Sequence, residues 1–97
     1  MRILSKRTLR EFWARVPRAE KPLTVWYDHV ASVQWENFAE VRGSFNSADQ
    51  VGDRVVFNVK GNDYRVVAYV VYGPYYRVLI KFVGTHKEYD AIDPETV

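Results

Sequence analysis

The apolar residues of this chain change their repeat near residue 54, and that change restricts the fold more than any bulk property. Before it, Leu9, Phe12, Trp13 and Val16 recur at i, i+3, i+4 and i+7, which marks one face of a helix. Leu23, Trp26, Tyr27, Val30 and Val33 follow the same spacing. After it, "RVVFNVK", "DYRVVAYVVY" and "YYRVLIKFV" are runs rich in valine and aromatic residues, separated by the turn signals "GN" and "GP". Two amphipathic helices followed by a strand meander require an α+β fold. The expected architecture is an N-terminal helical hairpin packed on a small, twisted, antiparallel sheet of three strands.

Local signals set the boundaries. Ser5 suits the N-cap of the first helix, and Pro17 ends it because proline cannot continue the hydrogen-bond ladder. Pro22 suits the first position of the second helix. "MRILS" reads as a short edge strand and "WENFAEVRGSFNSADQVGD" as an irregular connection. There is no internal repeat, so residues 1–97 are expected to form a single domain.

Strand phase follows from the turns. With Gly61-Asn62 as a two-residue hairpin turn, Asn58 faces Arg65, Lys60 faces Asp63 and Val56 faces Val67. Val55, Phe57 and Val59 then share the core side with Ala68, Val66 and Tyr64. Placing Tyr76, Val78, Ile80 and Phe82 on that same side requires an odd number of turn residues or a bulge. A Tyr72-Gly73-Pro74 loop sets Lys81 opposite Arg65 and Arg77 opposite Tyr69. The expected result is a polar row of Asn58, Arg65 and Lys81, with Lys60 one step along and "GTHKEYD" emerging at the same end.

Charge agrees with that row. Arg54 to Tyr89 holds six basic residues against two acids, while the remainder holds eight against ten. A locally basic face suits an anionic partner, nucleic acid above all. The chain has no cysteine, which excludes disulfides and thiolate metal sites. No apolar run reaches the roughly 20 residues of a membrane helix, so a cytoplasmic protein is the expectation. The absence of a G-x-x-x-x-G-K-[ST] motif argues against nucleotide hydrolysis.

The chemistry available to such a cluster is RNA cleavage, in which the 2′-hydroxyl attacks its own phosphate and no metal or other cofactor is needed. Arg65 is the candidate for gripping phosphate oxygens through a forked pair of hydrogen bonds. Its bland alternative is an ion pair with Asp63 or Glu88. Lys60, His86 and Tyr89 are candidates for moving protons, and neighbouring cations would lower the pKa of Lys60. Tyr89 has the alternative of stacking on a base. Asn58, Arg77, Lys81 and Lys87 are candidate RNA-binding residues, and the tryptophans are read as core.

"SADQVGDRVVFNVKGNDYRVV" followed by "FVGTHKEYDAID" resembles the HigB branch of the RelE-like toxins of bacterial toxin–antitoxin systems. "ILSKRTLREFW", Ile3 to Trp13, matches the family's opening, so the resemblance covers essentially the whole chain. It implies a RelE-like α+β fold and an endoribonuclease that cuts mRNA, typically in the ribosomal A site. It also implies a HigA-like antitoxin partner bearing a helix-turn-helix domain. Carried over by position, the strand arginine is Arg65, the turn lysine Lys60, and the C-terminal group His86 with Tyr89. The same scaffold occurs in ParE-like toxins, which poison DNA gyrase without cutting RNA, and that is the competing expectation.

Overall fold

A computed structural model describes residues 1–97. In chain order the elements are β1 (Arg2–Leu4), α1 (Lys6–Arg15), a 3-10 turn (Pro17–Ala19), α2 (Glu20–Ala31), α3 (Phe38–Ser44), β2 (Asp49–Val51), β3 (Arg54–Val59), β4 (Tyr64–Val71), β5 (Arg77–Thr85) and α4 (His86–Asp90). The helical hairpin and the β3–β4–β5 meander match the expected α+β layout. The sheet, however, has five strands in the order β1-β5-β4-β3-β2, and β1 runs parallel to β5.

The helical hairpin forms for the reasons its spacing suggests. Leu9 and Phe12 of α1, and Leu23, Trp26 and Val30 of α2, are buried. Ser5 occupies the N-cap of α1 at φ 76°, but its side chain caps nothing; its carbonyl accepts the Thr8 N–H at 2.9 Å. Pro22 is the third residue of α2, not the first, because the 3-10 turn begun at Pro17 runs directly into the helix. There its missing N–H is still one of the donors that has no intrahelical acceptor.

One face of the sheet closes the core. Val55, Phe57 and Val59 of β3, Tyr64, Val66 and Ala68 of β4, and Val78, Ile80 and Val83 of β5 join the helix residues in one cluster. Phe57, fully buried, touches three other rings, those of Trp26, Trp35 and Phe45, at centroid distances of 5.2, 6.0 and 5.4 Å. The β3–β4 register is the expected one, with Asn58 paired to Arg65 and Val56 to Val67. Lys60 and Gly61 both take positive φ, 55° and 63°, and the Lys60 carbonyl accepts the Asp63 N–H.

Three expectations are corrected. First, the loop between β4 and β5 spans the five residues from Tyr72 to Tyr76, which keeps the expected odd parity but not the length. Second, β5 carries a bulge. Ala68 pairs with Ile80 whereas Val67 pairs with Phe82, so Lys81 is the extra residue. Phe82 therefore turns to the outer face and Val83 takes its place in the core. Gly84, not Lys81, lies opposite Arg65, and Arg77 pairs with Val71, not Tyr69. Third, the connection read as irregular contains α3 and β2. Asn37 caps α3 by accepting the Glu40 N–H at 3.0 Å, and the Glu40 carboxylate accepts the Glu36 N–H at 2.8 Å. Gly52, at φ 61°, turns β2 into β3.

The outer face of the sheet is not bare. Beyond α4 the chain returns to the far end of β3, where Arg54 donates to the Val97 carbonyl at 2.8 Å and the Glu95 side chain packs at Gly52. Val56 and Val67 on that face are buried.

Candidate active site

Helix α4 is built to hold its short length. Thr85 accepts the Glu88 N–H at 3.2 Å while the Glu88 carboxylate accepts the Thr85 N–H at 2.9 Å, a reciprocal capping box. The His86 N–H donates to the Asp63 carbonyl at 3.2 Å and ties the helix to the β3–β4 turn. Glu88 also reaches Arg15 of α1 at 2.9 Å, on the helical side of the sheet. The next residue, Tyr89, lies on the opposite side, its ring 5.9 Å from the Arg65 guanidinium carbon. Thus α4 straddles the end of the sheet. At about 100° per residue, His86 sits about 60° from Tyr89 around the helix and about 160° from Glu88, on the Tyr89 side.

Arg65 is the one buried charged residue, 8% exposed. Its Nη1 donates to the carbonyls of Asn62 and Tyr64 at 3.2 and 3.3 Å, and its Nη2 to the Asn62 side-chain oxygen at 3.4 Å. Both acids that might have neutralised it are engaged elsewhere: Asp63 is 3.9 Å from Lys60, and Glu88 pairs with Arg15. A guanidinium carries five N–H donors. Three are used on main-chain and amide oxygens, which leaves the Nε–H and one Nη2–H, the two that form a fork.

Arg65 and Tyr89 line a cleft of about 330 Å³ with Asn58, Val56, Arg42, Ser47, Ala48 and Asp49. Burial raises the Tyr89 pKa above its ordinary 10.0, and the carboxylates of Asp49 and Asp90 push the same way against the opposing pull of Arg65. The phenol therefore keeps its proton at neutral pH, a form that can donate a hydrogen bond or offer a stacking surface. The structure brings three of the expected residues, Asn58, Arg65 and Tyr89, into one cleft. Gly84, across from Arg65, makes room for the Phe82 ring: a Cβ there would fall 2.6 Å from it.

The other expected residues are distributed around it. His86 is exposed, with Nδ1 3.0 Å from an Asp90 carboxylate oxygen. Lys60 is exposed and lines a separate cleft of about 280 Å³ with Trp26, His29 and Phe45. Its Nζ lies 3.9 Å from an Asp63 carboxylate oxygen. Lys81 is exposed at the bulge and Lys87 is exposed on α4. Arg77 pairs with Val71, six residues along β4 from Arg65 and so about 20 Å away.

Arg42, Ser47 and Asp49 were not anticipated. Signals for the elements that deliver them do exist. Asn37 followed three residues later by Glu40 is the start signature of a helix, and "VGDR" between extended residues is a hairpin signature.

Residues 19–92 match the HigB toxin family, described as the RelE-like toxic component of a toxin–antitoxin system. The chain is 29% identical over 93 residues to the mRNA interferase toxin HigB of Escherichia coli K12, an alignment covering 93% of this chain and 88% of that protein. The mRNA interferases HigB of Escherichia coli O157:H7 and Shigella flexneri match to the same extent. With the matched segment running from the 3-10 turn through α4, and so including every residue of the cleft, the chain belongs to the HigB family of RelE-like toxins.

Proposed function

We propose that this chain is the toxin of a type II toxin–antitoxin pair and acts in the cytoplasm as an endoribonuclease on mRNA. It cuts by attack of a 2′-hydroxyl on the adjacent phosphate, without a metal ion, on messages held by the ribosome. A HigA-like, helix-turn-helix antitoxin restrains it. The observation that carries this reading is Arg65: buried, unpaired with any acid, and left with a forked pair of donors beside a neutral phenol.

The residues divide the work as follows. Arg65 holds two non-bridging oxygens of the scissile phosphate and meets the extra negative charge of the phosphorane with donors already oriented by the Asn62 and Tyr64 carbonyls. Tyr89 stacks on a base or donates its hydroxyl hydrogen. His86 moves protons: Nδ1 is engaged by Asp90 at 3.0 Å, which leaves Nε2 for the exchange. Asn58 hydrogen-bonds the strand within the cleft, and Lys81, Lys87 and Lys60 add positive potential at its approaches. A cleft this small contacts few phosphates and so binds free RNA weakly, which favours a substrate already presented by the ribosome.

Mapping of mRNA 5′ ends after induction tests the proposal. New ends are expected with the wild type and absent with Arg65→Ala and with His86→Ala. No new ends, together with loss of gyrase supercoiling activity, overturns the nuclease reading in favour of gyrase poisoning.

A further inference from the structure

Asp49 is out of place in a cleft that takes a polyanion. It lines the same wall as Arg65, Arg42 and Tyr89, it is exposed, and its carboxylate makes no hydrogen bond or ion pair. Its charge is felt at Tyr89, whose pKa it raises. A free carboxylate there repels phosphate and is complementary to a ligand group that donates hydrogen bonds. Its position in the sheet indicates which group. Asp49 pairs with Val56, Val56 with Val67, and Val67 with Phe82, one row across the outer face. Asn58, Arg65 and Gly84 form the next row, two residues along and so about 7 Å away. Arg65 is thus displaced from the carboxylate by two residues along the strands and by two strands across the sheet.

We infer that Asp49 reads a nucleobase: it accepts from the exocyclic amino group of adenine, guanine or cytosine and disfavours uracil. This rests on the nuclease reading above for its placement of the phosphate at Arg65. A carboxylate is an acceptor only. The amino-bearing bases offer it an N–H edge, as in carboxylate recognition of the cytosine amino group. Uracil presents two carbonyl oxygens flanking one imide N–H and sets oxygen against oxygen. Ser47 and Asn58, in the same wall, supply neutral donors and acceptors beside it. Tyr89 provides the ring on which such a base stacks.

The test uses the purified full chain and 2′-O-methyl trinucleotides, which lack the attacking hydroxyl, varied one position at a time. At one position the wild type is expected to bind the uracil version about tenfold more weakly than the amino-bearing versions. Asp49→Asn and Asp49→Ala remove that difference, and the uracil version binds more tightly than to the wild type because the opposing charge is gone. A merely structural residue would weaken all versions alike. In cells, uracil is expected to be depleted at one position of the mapped cut sites and to recover in Asp49→Asn. If the trinucleotides discriminate and no cuts occur, the nuclease reading falls and the base reading stands. If the wild type binds all four versions equally, or Asp49→Asn keeps the bias, the inference is overturned.

Discussion

Replacing Arg65 by lysine keeps the charge and removes the fork. In the wild type, Nη1 is fixed by two main-chain carbonyls at 3.2 and 3.3 Å, so the remaining donors are aimed before substrate arrives. A lysine ammonium at the same strand position holds one phosphate oxygen as a point charge and must rotate to do so. The loss is then one hydrogen bond to a charged group, about 1.5–3 kcal/mol. If that bond strengthens in the transition state, the rate falls about ten- to a hundredfold. The same substitution leaves at least one of the Asn62 and Tyr64 carbonyls without its partner, costing about 1 kcal/mol of stability, which a chain of this size tolerates. The assay is the single-turnover rate of message cleavage, read beside the melting temperature of each protein. A lysine variant that cleaves at the wild-type rate refutes the forked grip. So does a loss of rate matched by an equal loss of folded protein.

Three further outcomes follow from the same geometry. Phe57→Ala removes the ring at the centre of the aromatic cluster and is expected to cost about 3–5 kcal/mol, lowering the denaturation midpoint severely. Thr85→Ala removes the side-chain half of the α4 capping box at a cost of about 1 kcal/mol. Cleavage should fall although Thr85 touches no substrate, and Thr85→Ser should restore it. The Glu88 carboxyl is held below its ordinary 4.5, first by the Thr85 N–H and then by Arg15. Because the folded value is depressed, its contribution is complete above 4.5 and fades as pH drops through the lower folded value. Wild type should therefore melt above Glu88→Gln at pH 7 and the gap should narrow as the pH is taken progressively below 4.5; a gap independent of pH contradicts the assignment.

How much of this was readable from residues alone depended on which signals are local. A two-residue turn sets both parity and register, so "KGND" was enough to pair Asn58 with Arg65. Helical spacing was enough for α1 and α2, whose buried stripes are long. The bulge in β5 left no such mark. Its strand is apolar on both faces, with Leu79 and Phe82 outward and Ile80 and Val83 inward, so either phase looks acceptable. Arg42 and Asp49 were missed because α3 spans seven residues and β2 three, too short for a period to emerge. The position of α4 across the sheet end depends on contacts to α1, to β4 and to the β3–β4 turn, all distant in sequence.

The bulge at Lys81 means that this position counts for its presence more than for its side chain. Every residue from Phe82 to the start of α4 owes its facing to one additional peptide unit. Exchange the lysine for another polar residue and the geometry downstream has no reason to move. Delete it, and Phe82 swings toward the helices, Val83 swings outward, and α4 begins half a pleat out of phase with Arg65. The place of Tyr89 in the cleft is set by arithmetic along the backbone, and a one-codon deletion at Lys81 is expected to displace it further than most substitutions inside the cleft.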